Sequence, residues 1–142
     1  MTETKVHTGD PVRLLVGGAR TEGRYALVEI DTRPGEEPPL HIHTREDELV
    51  YVVHGEIAVE VDGIQRRCRA GDCALLPRGG EHTWRVESGE ATLLILATPA
   101  GIEGYYTALA EPVEPGQRVE RLIAASARYG IEIVGPAPSG SN

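Results

Sequence analysis

The 142-residue sequence predicts an all-β sandwich or barrel with a short helical extension at its C-terminal end. Three observations predict it. Apolar and polar residues alternate in short runs, turn dipeptides recur between those runs, and the alternation gives way to a helical period after Pro99. Composition agrees. Phe is absent and aromatic residues make up 4% of the chain, so the core must be built from Val, Leu, Ile and Ala, which favours strands. Gly at 17 and Pro at 10 imply many turns.

Taken in order, residues 1–20 carry one short strand signal, the alternation of Val12, Leu14 and Val16. From Thr21 the pattern strengthens: Tyr25, Leu27 and Glu29 face one way, and Ala26, Val28 and Ile30 the other. Arg33–Pro39 is a loop, since its prolines have no N–H for a ladder. Strands follow at Glu48–Val53 and Glu56–Val61. Asp62-Gly63, a dipeptide suited to a type I′ turn, joins the second of these to Ile64–Arg69. Cys73–Leu76, His82–Val86 and Ala91–Ala97 complete the series. Gly104–Leu109 reads as a helical turn or two and Glu111–Gly116 as a break. Gln117–Tyr129 reads as a helix, with Val119, Leu122, Ile123 and Ser126 on one face. Gly130 suits a left-handed C-cap, with Ile131 as its apolar contact. The tail, from Pro136 onward, is expected to be disordered. The organisation is then a barrel over 1–100 and, over 101–142, a helical extension too short for its own core, which should pack on the barrel.

Charge excludes some functions. The net charge of −8, from 14 basic and 22 acidic residues, repels phosphate backbones, so no nucleic-acid partner is expected. The longest apolar stretch, Ala91–Ala97, falls far short of the roughly 20 residues of a membrane span. No membrane partner is expected. The polar N-terminus lacks a signal-peptide core, which points to a cytoplasmic protein. Cys68 and Cys73 have no second cysteine pair to complete a zinc ribbon and read as reduced thiols.

One constellation carries chemistry. His41 and His43 are two apart, so on an extended segment both imidazoles project to the same face. Glu48 opens the next strand and can return a carboxylate to that point. His82 opens a strand much later. Imidazole suits Zn, Fe, Ni, Cu and Mn, and a carboxylate adds a hard, charge-neutralising oxygen. Turn glycines flank these residues: Gly35 and Gly55 around the first group, Gly71 and Gly79, with Pro77, before His82.

These positions resemble the cupin superfamily. The first cupin motif, G-x5-H-x-H-x4-E-x6-G, is matched by Gly35, His41, His43, Glu48 and Gly55. The second, G-x5-P-x-G-x2-H-x3-N, is matched by Gly71, Pro77, Gly79 and His82, with Val86 in place of the final Asn. The resemblance covers roughly Tyr25–Ala97. It implies a double-stranded β-helix, or jelly-roll, barrel. It also implies one divalent transition metal ion (Fe, Mn, Ni, Zn or Cu) held by His41, His43, Glu48 and His82, and a homodimer. Small cupins with a helical tail of this kind resemble quercetin-dioxygenase-type proteins and cupins of natural-product pathways.

Glu46 and Asp47 compete with Glu48 for the carboxylate position. Glu46 shares its parity and otherwise reads as a rim charge, while Asp47 would point to the other face. Trp84 shares parity with His82 and should face the lumen, either to stack on a substrate or to fill the core. By the same parity Val50, Val52 and Val86 should line an apolar substrate pocket. Tyr25, Tyr51 and Arg78 read as structural residues that could reach its mouth. Three functions fit a small-molecule substrate at such a site. The first is a dioxygenase with Glu48 as the catalytic base. The second is a non-redox cyclase, isomerase or dehydratase that uses the metal as a Lewis acid. The third is a non-catalytic ligand-binding module.

Overall fold

Alternation of side chains sorts the strands into two antiparallel sheets that turn their apolar faces toward each other. The computed structural model describes residues 4–7, 11–110 and 113–138. Its strands are β1 (Thr4–His7), β2 (Pro11–Val16), β3 (Ala26–Thr32), β4 (His41–His43), β5 (Asp47–His54), β6 (Glu56–Val61), β7 (Ile64–Arg69), β8 (Cys73–Leu76), β9 (Glu81–Val86), β10 (Ala91–Thr98) and β11 (Ile131–Ile133). Three helices join them: α1 (Gly18–Thr21), α2 (Ile102–Ala110) and α3 (Arg118–Arg128). One sheet runs β1-β2-β3-β10-β5-β8 and the other β11-β4-β9-β6-β7. This is the double-stranded β-helix barrel, with its helical extension at the C-terminal end.

The core lies between the sheets. Val28, Val50 and Leu93 from the first sheet and Ile57, Val59 and Cys68 from the second are buried together. Each such side chain contributes about 1.5–3 kcal/mol relative to an exposed one. Turn chemistry fixes the register of the β6–β7 hairpin. Asp62 and Gly63 take φ of 49° and 81°, the paired left-handed conformations of a type I′ turn, and place Val61 opposite Ile64. Cys68 is buried on β7 and Cys73 exposed on β8, and both are free thiols.

Several elements differ from the sequence reading. His41–His43 is a strand of its own, because β9 and β11 bond it from either side. Ile131 is more than a capping contact: it opens β11, and Ile131 and Ile133 pair with His43 and His41. In α3 the buried arc is rotated. Ala125 and Ser126 are buried, whereas Val119 and Ile123 are 68% and 57% exposed. The start of the tail is tied down, since the Pro136 carbonyl accepts a hydrogen bond from Leu40 N–H at 3.2 Å. The remainder expected to be disordered, 139–142, lies outside the described residues.

Candidate metal centre

The two sheets meet at the site. Register places His41 directly opposite His82 across β4 and β9, and His43 follows on the same face of β4. Glu48 comes from the facing sheet, on β5 between β10 and β8. Three imidazoles from one sheet therefore meet one carboxylate from the other. Their ring nitrogens lie within 4.8 Å of one another. His41 Nε2 and His43 Nε2 are 3.1 Å apart. Glu48 Oε1 lies 3.2 Å from His43 Nε2 and 3.5 Å from His82 Nε2. All four side chains are buried.

Two of the imidazoles are oriented from behind. His41 Nδ1–H donates to the Pro39 carbonyl at 2.6 Å, and His43 Nδ1–H donates to Glu46 Oε1 at 2.7 Å. Each bond uses the Nδ1 proton and leaves the Nε2 lone pair aimed at the site, as a metal-ligating histidine requires. The two Nε2 atoms then face each other at 3.1 Å, a spacing that a proton shared between the rings or a cation bound by both satisfies. His82 has no hydrogen-bond partner on either ring nitrogen among the described residues, although it is 1% exposed. The 3.1 and 3.2 Å spacings also match the roughly 3 Å between adjacent ligands on an ion with bonds of about 2.1 Å. The donor set fits a divalent transition metal ion, and His41, His43 and His82 are positioned to hold it, with Glu48 beside them.

Electrostatics point the same way. Burial, helped by the neighbouring His82 and His43, lowers the His41 pKa to about 3, so this ring is neutral near pH 7. Burial also works against charge on His43, but the Glu46 bond and the Glu48 charge outweigh it and raise its pKa. For Glu48 burial favours the protonated acid, yet the surrounding histidines prevail and its pKa is lowered. A buried carboxylate without such partners would cost several kcal/mol.

Beside the three residues His41, His43 and Glu48 opens a cavity of about 240 Å³. Trp84 lies on its wall, 7% exposed, as its parity required, and its indole N–H has no partner among the described residues. Val50, Val52 and Val86 face inward as expected but line none of it. At their level the two sheets pack against each other and leave no space. Tyr25 and Tyr51 are exposed, and neither they nor Arg78 border the cavity. The walls come instead from the proline loop and from α2, α3 and β11, including Tyr105, Tyr106, Leu122 and Ile131.

Two contributions escaped the sequence reading. Glu46, read as a fallback ligand or a rim charge, is 3% exposed and stands behind His43. Its parity with Glu48 was visible, but the turn at Thr44-Arg45 that brings it under the ring was not. The second is the adjacent pair Tyr105-Tyr106. The signal was two of only five tyrosines side by side in a helical segment. Burial raises the pKa of both phenols, that of Tyr106 well above its ordinary value, so both stay protonated.

The sequence profile of the cupin domain family, Cupin_2, matches residues 28–98, half of the chain. The chain belongs to the cupin family. This cupin is similar to quercetin 2,3-dioxygenase of Bacillus subtilis (strain 168), with 24% identity over 101 residues, 71% of this chain and 30% of that protein. It is also similar to polyketide synthase CurC of Streptomyces cyaneus, with 35% identity over 68 residues, 47% of this chain and 44% of that one. It thus spans less than half the length of these two relatives. Among solved structures, KdgF from Halomonas sp. shares the fold at a TM-score of 0.63 and 22% identity, over 73% of this chain and 91% of that one. No helix among the described residues is long and apolar enough to cross a membrane.

Proposed function

We propose that this cupin is a metal-dependent enzyme acting on a small, partly aromatic or polyketide-like molecule, and that its reaction is a dioxygenation. The observation that carries the reading is the convergence of His41, His43, His82 and Glu48 beside a cavity walled by aromatic and aliphatic side chains. A bound divalent metal ion would supply Lewis-acid polarisation of a substrate oxygen and, with a redox-active ion, a route to O2. The residues of the chain supply the rest. His41, neutral at working pH, and His43 offer lone pairs held in place by Pro39 and Glu46. Glu48 brings the one negative charge within the four and is the group placed to take a proton from the substrate. Its lowered pKa makes it a weak base, suited to an acidic phenol or enol. The apolar walls exclude water and strengthen each of these contacts. The likeness to a quercetin 2,3-dioxygenase supports the reading.

Incubation with flavonols or aromatic diketones in air and under anaerobic conditions tests it. Turnover should stop without O2. Turnover that ignores O2 sinks the dioxygenase. The second reading, a cyclase, isomerase or dehydratase, draws on the likeness to a polyketide synthase protein. It predicts full activity with redox-silent zinc and no oxygen.

A further inference from the structure

Six of the sixteen residues that line the cavity belong to the segment that follows the matched cupin domain. Tyr105, Tyr106 and Leu109 of α2, Leu122 of α3 and Ile131 and Ile133 of β11 all border it. Opposite them stand Ile30, Ile95 and Trp84. The charged residues on its lining besides the two histidines are Glu36, Glu37 and Glu48, all acidic. Glu37 already accepts hydrogen bonds from Gly35 N–H and Val86 N–H, at 2.8 and 3.0 Å. No Lys or Arg lines the cavity among the described residues. A phosphate, sulfate or carboxylate group carried into this space would lose its hydration and meet carboxylates and aliphatic carbon. Away from the metal site, no Lys or Arg of the lining offsets that loss. An uncharged ring meets no such penalty and gains contact with Trp84 and the tyrosines.

Tyr106 adds a phenol to that lining. Its ring packs on the core side of the cavity, edge-on to Tyr105 with centroids 5.6 Å apart and planes at 66°. The hydroxyl has no hydrogen-bond partner among the described residues. A phenol in that position is a donor awaiting an acceptor. We infer that the cavity selects an uncharged aromatic ligand bearing a phenolic or enolic oxygen, and that Tyr106 is the substrate-contacting residue that donates a hydrogen bond to that oxygen. This rests on the proposed reading of the cavity as a substrate site, and it narrows the substrate class.

Calorimetric titration of the zinc-loaded full chain tests it without any turnover. The probes are 2-naphthol and 6-hydroxynaphthalene-2-sulfonate, which share a ring system and differ by one remote anionic group. The neutral naphthol should bind at least about tenfold more tightly. Tyr106→Phe, with its melting curve unchanged, should weaken naphthol binding about fivefold to tenfold, the loss of one hydrogen bond. Equal or tighter binding of the sulfonate, binding of neither probe, or an unchanged affinity in Tyr106→Phe each overturns the inference. Zinc does no oxygen chemistry, so failure of the oxygen test above leaves this one standing, and the reverse also holds.

Discussion

At the site each of two imidazoles is turned by a group behind it, and that group decides how well the ring presents its lone pair. His43 depends on Glu46, at 2.7 Å. Glu46→Ala should lower metal affinity about 10- to 100-fold while leaving all four converging side chains in place, and Glu46→Gln, which keeps an acceptor, should lose less. Competition against a chromophoric chelator reads both. An unchanged affinity in Glu46→Ala would show that the bond orients nothing. The protonation of the rings sets a pH dependence. His41 has a pKa of about 3 in the fold against an ordinary 6.5. Between those values the unfolded chain takes up a proton that the folded one refuses, so the stability His41 contributes is complete above pH 6.5 and is lost as pH falls toward 3. Glu48, with its lowered pKa, loses its contribution in the same direction. His43, whose pKa is raised, opposes them, since its contribution is present at low pH and fades as pH rises through its folded value. His41 and Glu48 act together against His43, so the urea midpoint of the metal-free protein should fall as pH drops from 7 to 4.5. That fall should be shallower in His41→Asn. The role of Glu46 behind His43 was not legible in the sequence for a physical reason: a carboxylate beside a turn is a rim charge in most settings, and only the backbone bend places it under a ring.

The elements show where local chemistry suffices and where it does not. The β6–β7 hairpin was legible because Asp62-Gly63 dictates its own turn. Strand β4 was not, because three residues hold a strand only when distant β9 and β11 supply both ladders. In α3 the helical period was right and the buried arc only partly so: Ser126 is buried and Leu122 borders the cavity, but Val119 and Ile123 are exposed. Spacing fixes which residues share a face, but the neighbouring α2 and β11 decide which face is covered, and Ala125 and Ser126 are the residues buried. The helical extension closes on itself through Gly104. A Cβ there would lie 2.6 Å from the Tyr129 hydroxyl and 2.7 Å from its ring. Gly104→Ala should therefore cost about 1–3 kcal/mol by overpacking, read as a lower urea midpoint. It should also weaken binding of 2-naphthol, because neighbouring Tyr105 stands edge-on to Tyr129 at 6.4 Å. Full stability in this variant would show that α2 and the Tyr129 ring are not packed as described.

Across the whole molecule, the barrel brings residues from β4, β5 and β9 to one point between its two sheets. The ligand spacing in the sequence announced that point, because two motifs with fixed glycine turns leave the side chains little freedom. The cavity beside it was not announced. Its far wall comes from helices whose packing no local pattern encodes, which is why the expected valines proved to be core and the tyrosines went unnoticed. Because the folded chain alone gathers the site, an ion bound at a thousand times its dissociation constant should add about 4 kcal/mol of stability and raise the melting temperature on the order of 10 °C. Chelation should reverse the gain. The most direct measurement is the metal content of the purified chain beside that of a His41→Ala, His82→Ala double variant, both confirmed as folded by circular dichroism. The site as described predicts close to one divalent transition metal ion per chain in the first and almost none in the second. Equal metal content in the two would contradict it.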